Sequence, residues 1–116
     1  MPLEAPHPLE AIGGIARLMF RPGQVIVHAD HVPMALLLVL DGEVELVAGA
    51  RRQRVRADAQ LGPFLIPLPD RIDDPLTVAV IATRATTALC IPRSLVLLDP
   101  ALPALVAPYA TRVLPL

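Results

Sequence analysis

Residues 34–48 run Met34-Ala35-Leu36-Leu37-Leu38-Val39-Leu40-Asp41-Gly42-Glu43-Val44-Glu45-Leu46-Val47-Ala48. The first seven form a near-continuous apolar run, and Glu43 to Val47 alternates strictly between charged and apolar side chains. Period-two alternation belongs to a strand with one wet and one dry face, and Asp-Gly between two such runs is a strong short-range hairpin signal. The stretch predicts a β-hairpin, 34–40 against 43–48, turning at Asp41-Gly42.

Further strands lie on both sides of it. Phe20-Arg21-Pro22-Gly23-Gln24 is a turn signal, because Pro fixes φ and Gly is free to take φ > 0, and the β-branched Val25-Ile26-Val27-His28 follows it. After Ala48-Gly49-Ala50, the segment Arg52-Gln53-Arg54-Val55-Arg56 puts three arginines on one strand face. Residues 61–75 hold Pro63, Pro67, Pro69 and Pro75, and predict a long irregular loop with at most one short helical turn. Segments 76–82 and 86–91 are β-branched and apolar, with Arg84 in the turn between them.

Helices are expected at both ends. Pro8 suits a first helical turn, and Ile12, Ile15, Ala16 and Met19 recur at helical spacing, although Gly13-Gly14 weakens the helix. At the other end Arg93 to Leu98 is helical, and Asp99 can cap a second helix that starts at Pro100. Leu102, Leu105, Val106, Tyr109 and Val113 share one stripe of that helix, which Pro108 should kink or shorten. The expected fold is mainly β: an antiparallel jelly-roll sandwich of about eight strands with flanking N- and C-terminal α-helices. One domain, 1–116, divides into a helical lead (1–19), a β-roll (20–92) and C-terminal helices (93–116). Phe20, Ile26, Leu38, Leu40, Val44, Leu46, Val80, Leu89 and Ile91 are the expected core.

Composition narrows the function classes. The chain has 116 residues, is 54% apolar and 18% charged, and has ten basic against eleven acidic groups for a net charge of −1. Disorder is excluded, and so is the basic footprint of a nucleic-acid binder. All ten basic residues are Arg, which points to the codon bias of a GC-rich, bacterial genome. The apolar stretch 32–40 contains Pro33 and is far shorter than the roughly 20 residues of a spanning helix, and residues 1–10 lack the basic start of a signal peptide. A cytoplasmic location is the expectation. Cys90, the single cysteine, lies in an apolar run and is expected to be buried rather than reactive.

The order of elements resembles the cyclic-nucleotide-binding domains of catabolite-activator-type regulators, nucleotide-gated channels and kinase regulatory subunits. The likeness covers residues 12 to about 114. It rests on Phe20-Arg21-Pro22-Gly23-Gln24-Val25-Ile26 and Leu38-Val39-Leu40-Asp41-Gly42-Glu43-Val44, with Leu61-Gly62 similar to the start of the phosphate-binding cassette. Val80-Ile81-Ala82 and Leu89-Cys90-Ile91-Pro92-Arg93 match the pieces that follow. The resemblance implies a Glu that accepts a hydrogen bond from the ribose 2′-hydroxyl and an Arg that pairs with the cyclic phosphate. Those positions fall on Pro63 and Leu76, neither of which can do this chemistry. Thr77 keeps a hydroxyl where the family often has one. The ligand-binding candidates are therefore Gly62, Pro63, Arg71, Leu76, Thr77 and Arg84, with Arg71 or Arg84 as substitute anion partners. Arg71 lies close to Asp73 and Asp74, which favours a local ion pair.

His28, Asp30 and His31 suggest a metal site, yet the H-x-H spacing of a cupin is missing. Arg51, Arg52, Arg54 and Arg56 are explained by a solvated strand face, and no helix-turn-helix follows them to read DNA. No nucleophile with matched base and no glycine-rich phosphate loop is present, so no enzymatic activity and no cofactor are expected. The expected function is a regulatory or protein-interaction module on a degenerate nucleotide-binding fold, forming a homo-oligomer such as a dimer, or binding a protein partner, through the C-terminal helix. The alternative is a sensor that binds cAMP, cGMP or another small molecule in the roll; a metal-dependent cupin-like enzyme ranks below both.

Overall fold

The structure is a computed structural model and describes residues 7–29, 35–66, 78–109 and 112–113. A 3-10 turn, Pro8–Ala11, leads into strands β1 (Ala16–Phe20), β2 (Val25–Val27), β3 (Ala35–Ala48), β4 (Arg51–Ala57), β5 (Phe64–Ile66), β6 (Ala79–Ala82) and β7 (Thr86–Pro92). Helices α1 (Arg93–Leu98) and α2 (Leu102–Val106), a 3-10 turn (Ala107–Tyr109) and β8 (Arg112–Val113) follow. All strand pairs are antiparallel except β5 with β8.

Strand β3 organises the molecule, and it corrects the hairpin expected at Asp41-Gly42. It is one strand of 14 residues that belongs to both halves of a curled sheet. Its first half pairs with β7 and β5, with β1 beyond β7 and β8 beyond β5. Its second half, from Gly42, pairs with β4 on one side and β6 on the other, with β2 beyond β6. Between the halves the pairing with β7 slips from Val39↔Ala88 to Asp41↔Thr87, which leaves Leu40 as an extra residue, and Gly42 takes φ +130°. Bulges and glycines bend strands in this way where a sheet turns a corner. Gly42 serves a close approach and not a turn: a Cβ there would stand 2.4 Å from Thr86 Oγ1 and 2.7 Å from Thr86 Cα. The tight turn lies further on, at Gly49-Ala50 between β3 and β4.

The apolar run 36–39 is buried on both faces, which is why it does not alternate. Leu36 and Leu38, with Leu65, Leu89 and Ile91, pack against Leu9, Ile15, Val96, Leu102 and Val106 of the terminal segments. Val39, Phe64, Ile66 and Ala88 face the other way, into the roll, where Val44, Leu46, Val55, Ala57 and Val80 meet them. Of the expected core, Leu38, Val44, Leu46, Val80, Leu89 and Ile91 are buried, while Phe20, Ile26 and Leu40 are partly buried against it.

Several expectations, most of them at the termini, need correction. Ile12 to Met19 is not a helix: among the described residues the helical lead is one 3-10 turn, and Ala16–Phe20 pairs with β7 as an edge strand. Helix formation stops at Gly13-Gly14, where Gly14 has φ +97°, and β7 offers an unpaired edge immediately after. The second closing helix begins at Leu102 rather than Pro100; Asp99 caps the turn before it by accepting a hydrogen bond from the Ala101 N–H at 3.0 Å. Helix α2 gives way to a 3-10 turn at Ala107, so Val113 falls on strand β8, and Leu105 is 49% exposed instead of joining Leu102 and Val106 in the core. Cys90 is half-buried on β7 rather than in the core, and that burial pushes its thiol pKa up. In the stretch expected to be an irregular loop, 64–66 is instead a fully buried strand. At the two ends of the fold, the His7 ring meets Tyr109 edge-on at 4.8 Å between centroids.

Candidate functional site

Glu43 and Glu45 project from the outer face of β3 toward Arg52, Arg54 and Arg56 of β4, because residues directly opposite in the register are Glu43↔Arg56 and Glu45↔Arg54. The arginine face seen in the sequence is thus an ion-pair ladder. Arg52 Nη1 donates to Glu45 Oε1 at 2.8 Å and Arg56 Nη2 to Glu43 Oε2 at 3.3 Å. Arg54 stays 3.6 Å from Glu45 and 3.9 Å from Glu43.

Glu43 is the buried member of the ladder. Thr83 Oγ1 donates to Glu43 Oε1 at 2.8 Å, and the Thr83 N–H donates to the Glu43 carbonyl at 2.9 Å. The Thr83 hydroxyl, and then the Arg56 guanidinium, hold the Glu43 carboxyl below the usual range against the opposing effect of burial. These bonds tie the β6–β7 turn to the point where β3 crosses between sheets.

Beside the ladder, an open groove of about 590 Å³ runs along β4 and is lined by Glu43, Gln53, Arg54, Val55, Arg56, Leu61 and Arg112. Arg112 closes one end: its Nη2 donates to the Arg56 carbonyl and, at 3.1 Å, to the Gly62 carbonyl, while its guanidinium carbon lies 5.5 Å from the Phe64 ring centroid. Asp58 shapes the adjacent turn by accepting from the Leu61 N–H at 2.7 Å and the Gln60 N–H at 2.9 Å. Those two bonds, with the Leu61 bond the stronger influence, hold its carboxyl low. Among the described residues the groove lining offers three guanidinium groups and one already paired carboxylate, which equips it to hold an anion.

Three of the six residues singled out in the sequence are described. Gly62 and Pro63 lead into β5, and both backbone groups of Gly62 are engaged: its N–H donates to the Asp58 carbonyl at 2.9 Å and its carbonyl accepts from Arg112. Arg84 is exposed on the β6–β7 turn and lines a second cleft, of about 150 Å³, with Asp41, Gly42, Arg56, Ala57, Asp58 and Ala85. Its neighbours there include two carboxylates. Arg71, Leu76 and Thr77 lie outside the described residues, as do Asp30 and His31 of the suspected metal cluster. His28 is exposed after β2, and among the described residues no group of three or more His, Cys, Asp or Glu side chains is placed to hold a metal ion. Sequence reasoning missed Arg112, Asp58 and Thr83. Only Asp58 carried a local signal, since Asp commonly accepts from N–H groups two and three residues on.

No protein-family model matches this chain, and no curated protein matches it. Solved structures do. The C-linker and cyclic-nucleotide-binding homology domain of a zELK channel superposes with a TM-score of 0.63 at 16% identity, covering 86% of this chain and 55% of that one. The catabolite activator protein of Thermus thermophilus gives 0.58 at 21% identity, covering 82% and 46%. A protein from Geobacter metallireducens described as cyclic nucleotide-binding gives 0.56 at 22%, covering 69% and 58%. This chain has the cyclic-nucleotide-binding-domain fold, and it spans about half the length of these three structures. No described helix is long and apolar enough to cross a membrane.

Proposed function

We propose that this chain is a regulatory, protein-interaction module on a degenerate cyclic-nucleotide-binding fold, without catalytic activity of its own, and that it associates with a second copy through its C-terminal helices in the cytoplasm of a bacterium. The observation that carries the reading is the helical layer over β3, β5 and β7. Val96, Leu102 and Val106 face the sheet, and Leu97 (51% exposed), Leu98 (82%) and Leu105 (49%) are left to solvent on adjacent short helices. Large apolar side chains exposed together mark a contact surface, and a two-fold dimer covers such a surface with one self-complementary patch.

The state of the cassette supports the same reading. Pro63 has no N–H, Gly62 spends both backbone groups on Asp58 and Arg112, and Leu76 has no charge to offer a phosphate. Losing a charge-assisted phosphate pair and a sugar hydrogen bond forfeits about 1.5–3 kcal/mol each. Calorimetric titration with cAMP and cGMP, paired with light scattering of the free chain, tests the proposal. No saturable heat below about 10 μM, together with a dimer mass, is the expected result. Binding at micromolar concentration by a 12.4 kDa monomer would favour the nucleotide sensor instead, with Arg84 or Arg71 taking the phosphate.

A further inference from the structure

We propose that the free edge of β4 docks an extended acidic peptide, which joins the sheet there as an additional strand. Strand β4 is bonded to β3 on one side, and among the described residues no strand lies on the other. Arg112 donates to the Arg56 carbonyl from that open side, so the Arg56 backbone points toward it. Alternate residues of a strand present their backbone groups in the same direction, which aims the N–H and C=O groups of Arg54 and Arg52 into the open side as well. Unmet groups in this pattern are a template for one more strand.

Charge selects the partner. Arg51, Arg52, Arg54, Arg56 and Arg112 are half of the chain's ten basic residues, and among the described residues Glu43, Glu45 and Asp58 are the carboxylates set against them. The strip is basic on a protein whose net charge is −1. Arg54 is 67% exposed and loosely paired, so it can exchange its glutamates for an incoming carboxylate at little cost. Arg112 adds a second guanidinium to the lining of the same groove. A second copy of this chain does not fit, because pairing β4 with β4 would set arginine against arginine. RNA is disfavoured because among the described residues the groove lining holds no aromatic ring on which a base could stack.

The groove also sets the pattern of the peptide. Arg52, Arg54 and Arg56 occupy one face of β4, while Val55 and Gln53 lie on the other, Val55 turned into the roll, and the exposed Leu61 lines the groove beside them. A strand added here meets arginines with one set of alternate side chains and apolar groups with the other. Its matching sequence alternates carboxylate and aliphatic residues.

The test uses the full chain and a fluorescent, end-blocked heptapeptide of alternating Glu and Val, followed by anisotropy. Saturable binding is expected, weakened at least tenfold by N-methylation of one alternate set of peptide amides and unaffected by N-methylation of the other. Arg54→Glu should weaken it at least tenfold with an unchanged far-ultraviolet spectrum; if that variant misfolds, Arg54→Gln should give a smaller loss in the same direction. Failure to bind, equal binding by a peptide with its glutamates and valines in separate blocks, indifference to N-methylation, or tighter binding of oligouridylate would each overturn the proposal. Monomeric Leu105→Asp protein should bind the peptide as well as the parent does, which separates this edge from the leucine surface.

Discussion

Replacing Gly42 by alanine tests the reading of β3 as one strand crossing between sheets. At φ +130° an L side chain is strained by about 1–3 kcal/mol wherever it points. Here it also points at Thr86, whose Oγ1, Cα and Cβ all lie within 2.7 Å of the new Cβ. Because Cα is backbone, the β6–β7 turn itself must move, and with it the Thr86 Oγ1 bonds to the Arg84 carbonyl (2.9 Å) and the Glu43 carbonyl (3.4 Å). At about 1 kcal/mol for each bond that breaks, the loss reaches at least about 3 kcal/mol. That is a large share of the roughly 5–15 kcal/mol that holds a domain folded, and it should lower the melting temperature by about 10 °C or more. Urea unfolding followed by circular dichroism measures it. Gly42→Asn is the informative companion: Asn suits the positive φ of a hairpin turn, but not the contact with Thr86. Both variants should be severely destabilised. A Gly42→Asn protein within about 1 kcal/mol of the parent would refute the crossover and restore the turn.

Leu105→Asp, at a half-exposed site on α2, should change stability by less than about 0.5 kcal/mol and abolish self-association in light scattering. Arg112→Gln should cost about 1–2 kcal/mol by urea unfolding, since the Arg56 and Gly62 carbonyls lose a charged donor. Acid should destabilise the fold in two stages. His7 is held below its usual pKa, chiefly by burial, and its Nδ1 accepts from the Leu9 N–H, so its contribution is complete above about pH 6.5 and is lost as pH falls through its lower folded value. Glu43, Glu10 and Asp58 are likewise held low, so theirs is present above the ordinary carboxylate range and lost as pH falls through their depressed folded values. Glu43→Gln should flatten the lower stage and leave the upper one, measured as urea midpoints between pH 3 and 8.

Much of the roll was legible because its signals are local. The turn at Pro22-Gly23, the strands β2, β6 and β7, the exposed arginines of β4 and helix α1 each follow from a few adjacent residues. The misreadings share one cause. Asp41-Gly42 announces a positive φ, and a turn and a strand crossover both need one; Thr86, which decides between them, is far away in sequence. Ile12, Ile15, Ala16 and Met19 fit a helix by spacing, but the free edge of β7 claims Ala16–Phe20 as a strand. Tyr109 and Val113 fit the α2 stripe only if the helix continues, and it stops at Val106. In the candidate site, Gly62 stood out through the resemblance to the family's cassette and Arg84 as the arginine of a turn, whereas Arg112 did not stand out, because its role depends on carbonyls 56 and 50 residues away.

The same long-range bonds bear on the proposal that this chain works without a nucleotide. A ligand cradle needs backbone donors left unmet by the protein, since a buried donor must find a partner somewhere. At Gly62 that partner is internal: the Asp58 carbonyl takes the N–H, and Arg112 takes the carbonyl while also reaching Arg56 on the opposing sheet. The interior beside it is closed by Val39, Val44, Leu46, Phe64 and Val80, which pack on one another from both halves of β3 and its neighbours. A roll stabilised this way loses nothing when no ligand is present. Arg112→Gln therefore distinguishes two histories of the site. If the clamp replaced a ligand, the variant should be destabilised yet gain no affinity for cAMP, because Pro63 and Leu76 still supply no anchor. Recovered micromolar binding would show that Arg112 had only been covering a working cradle.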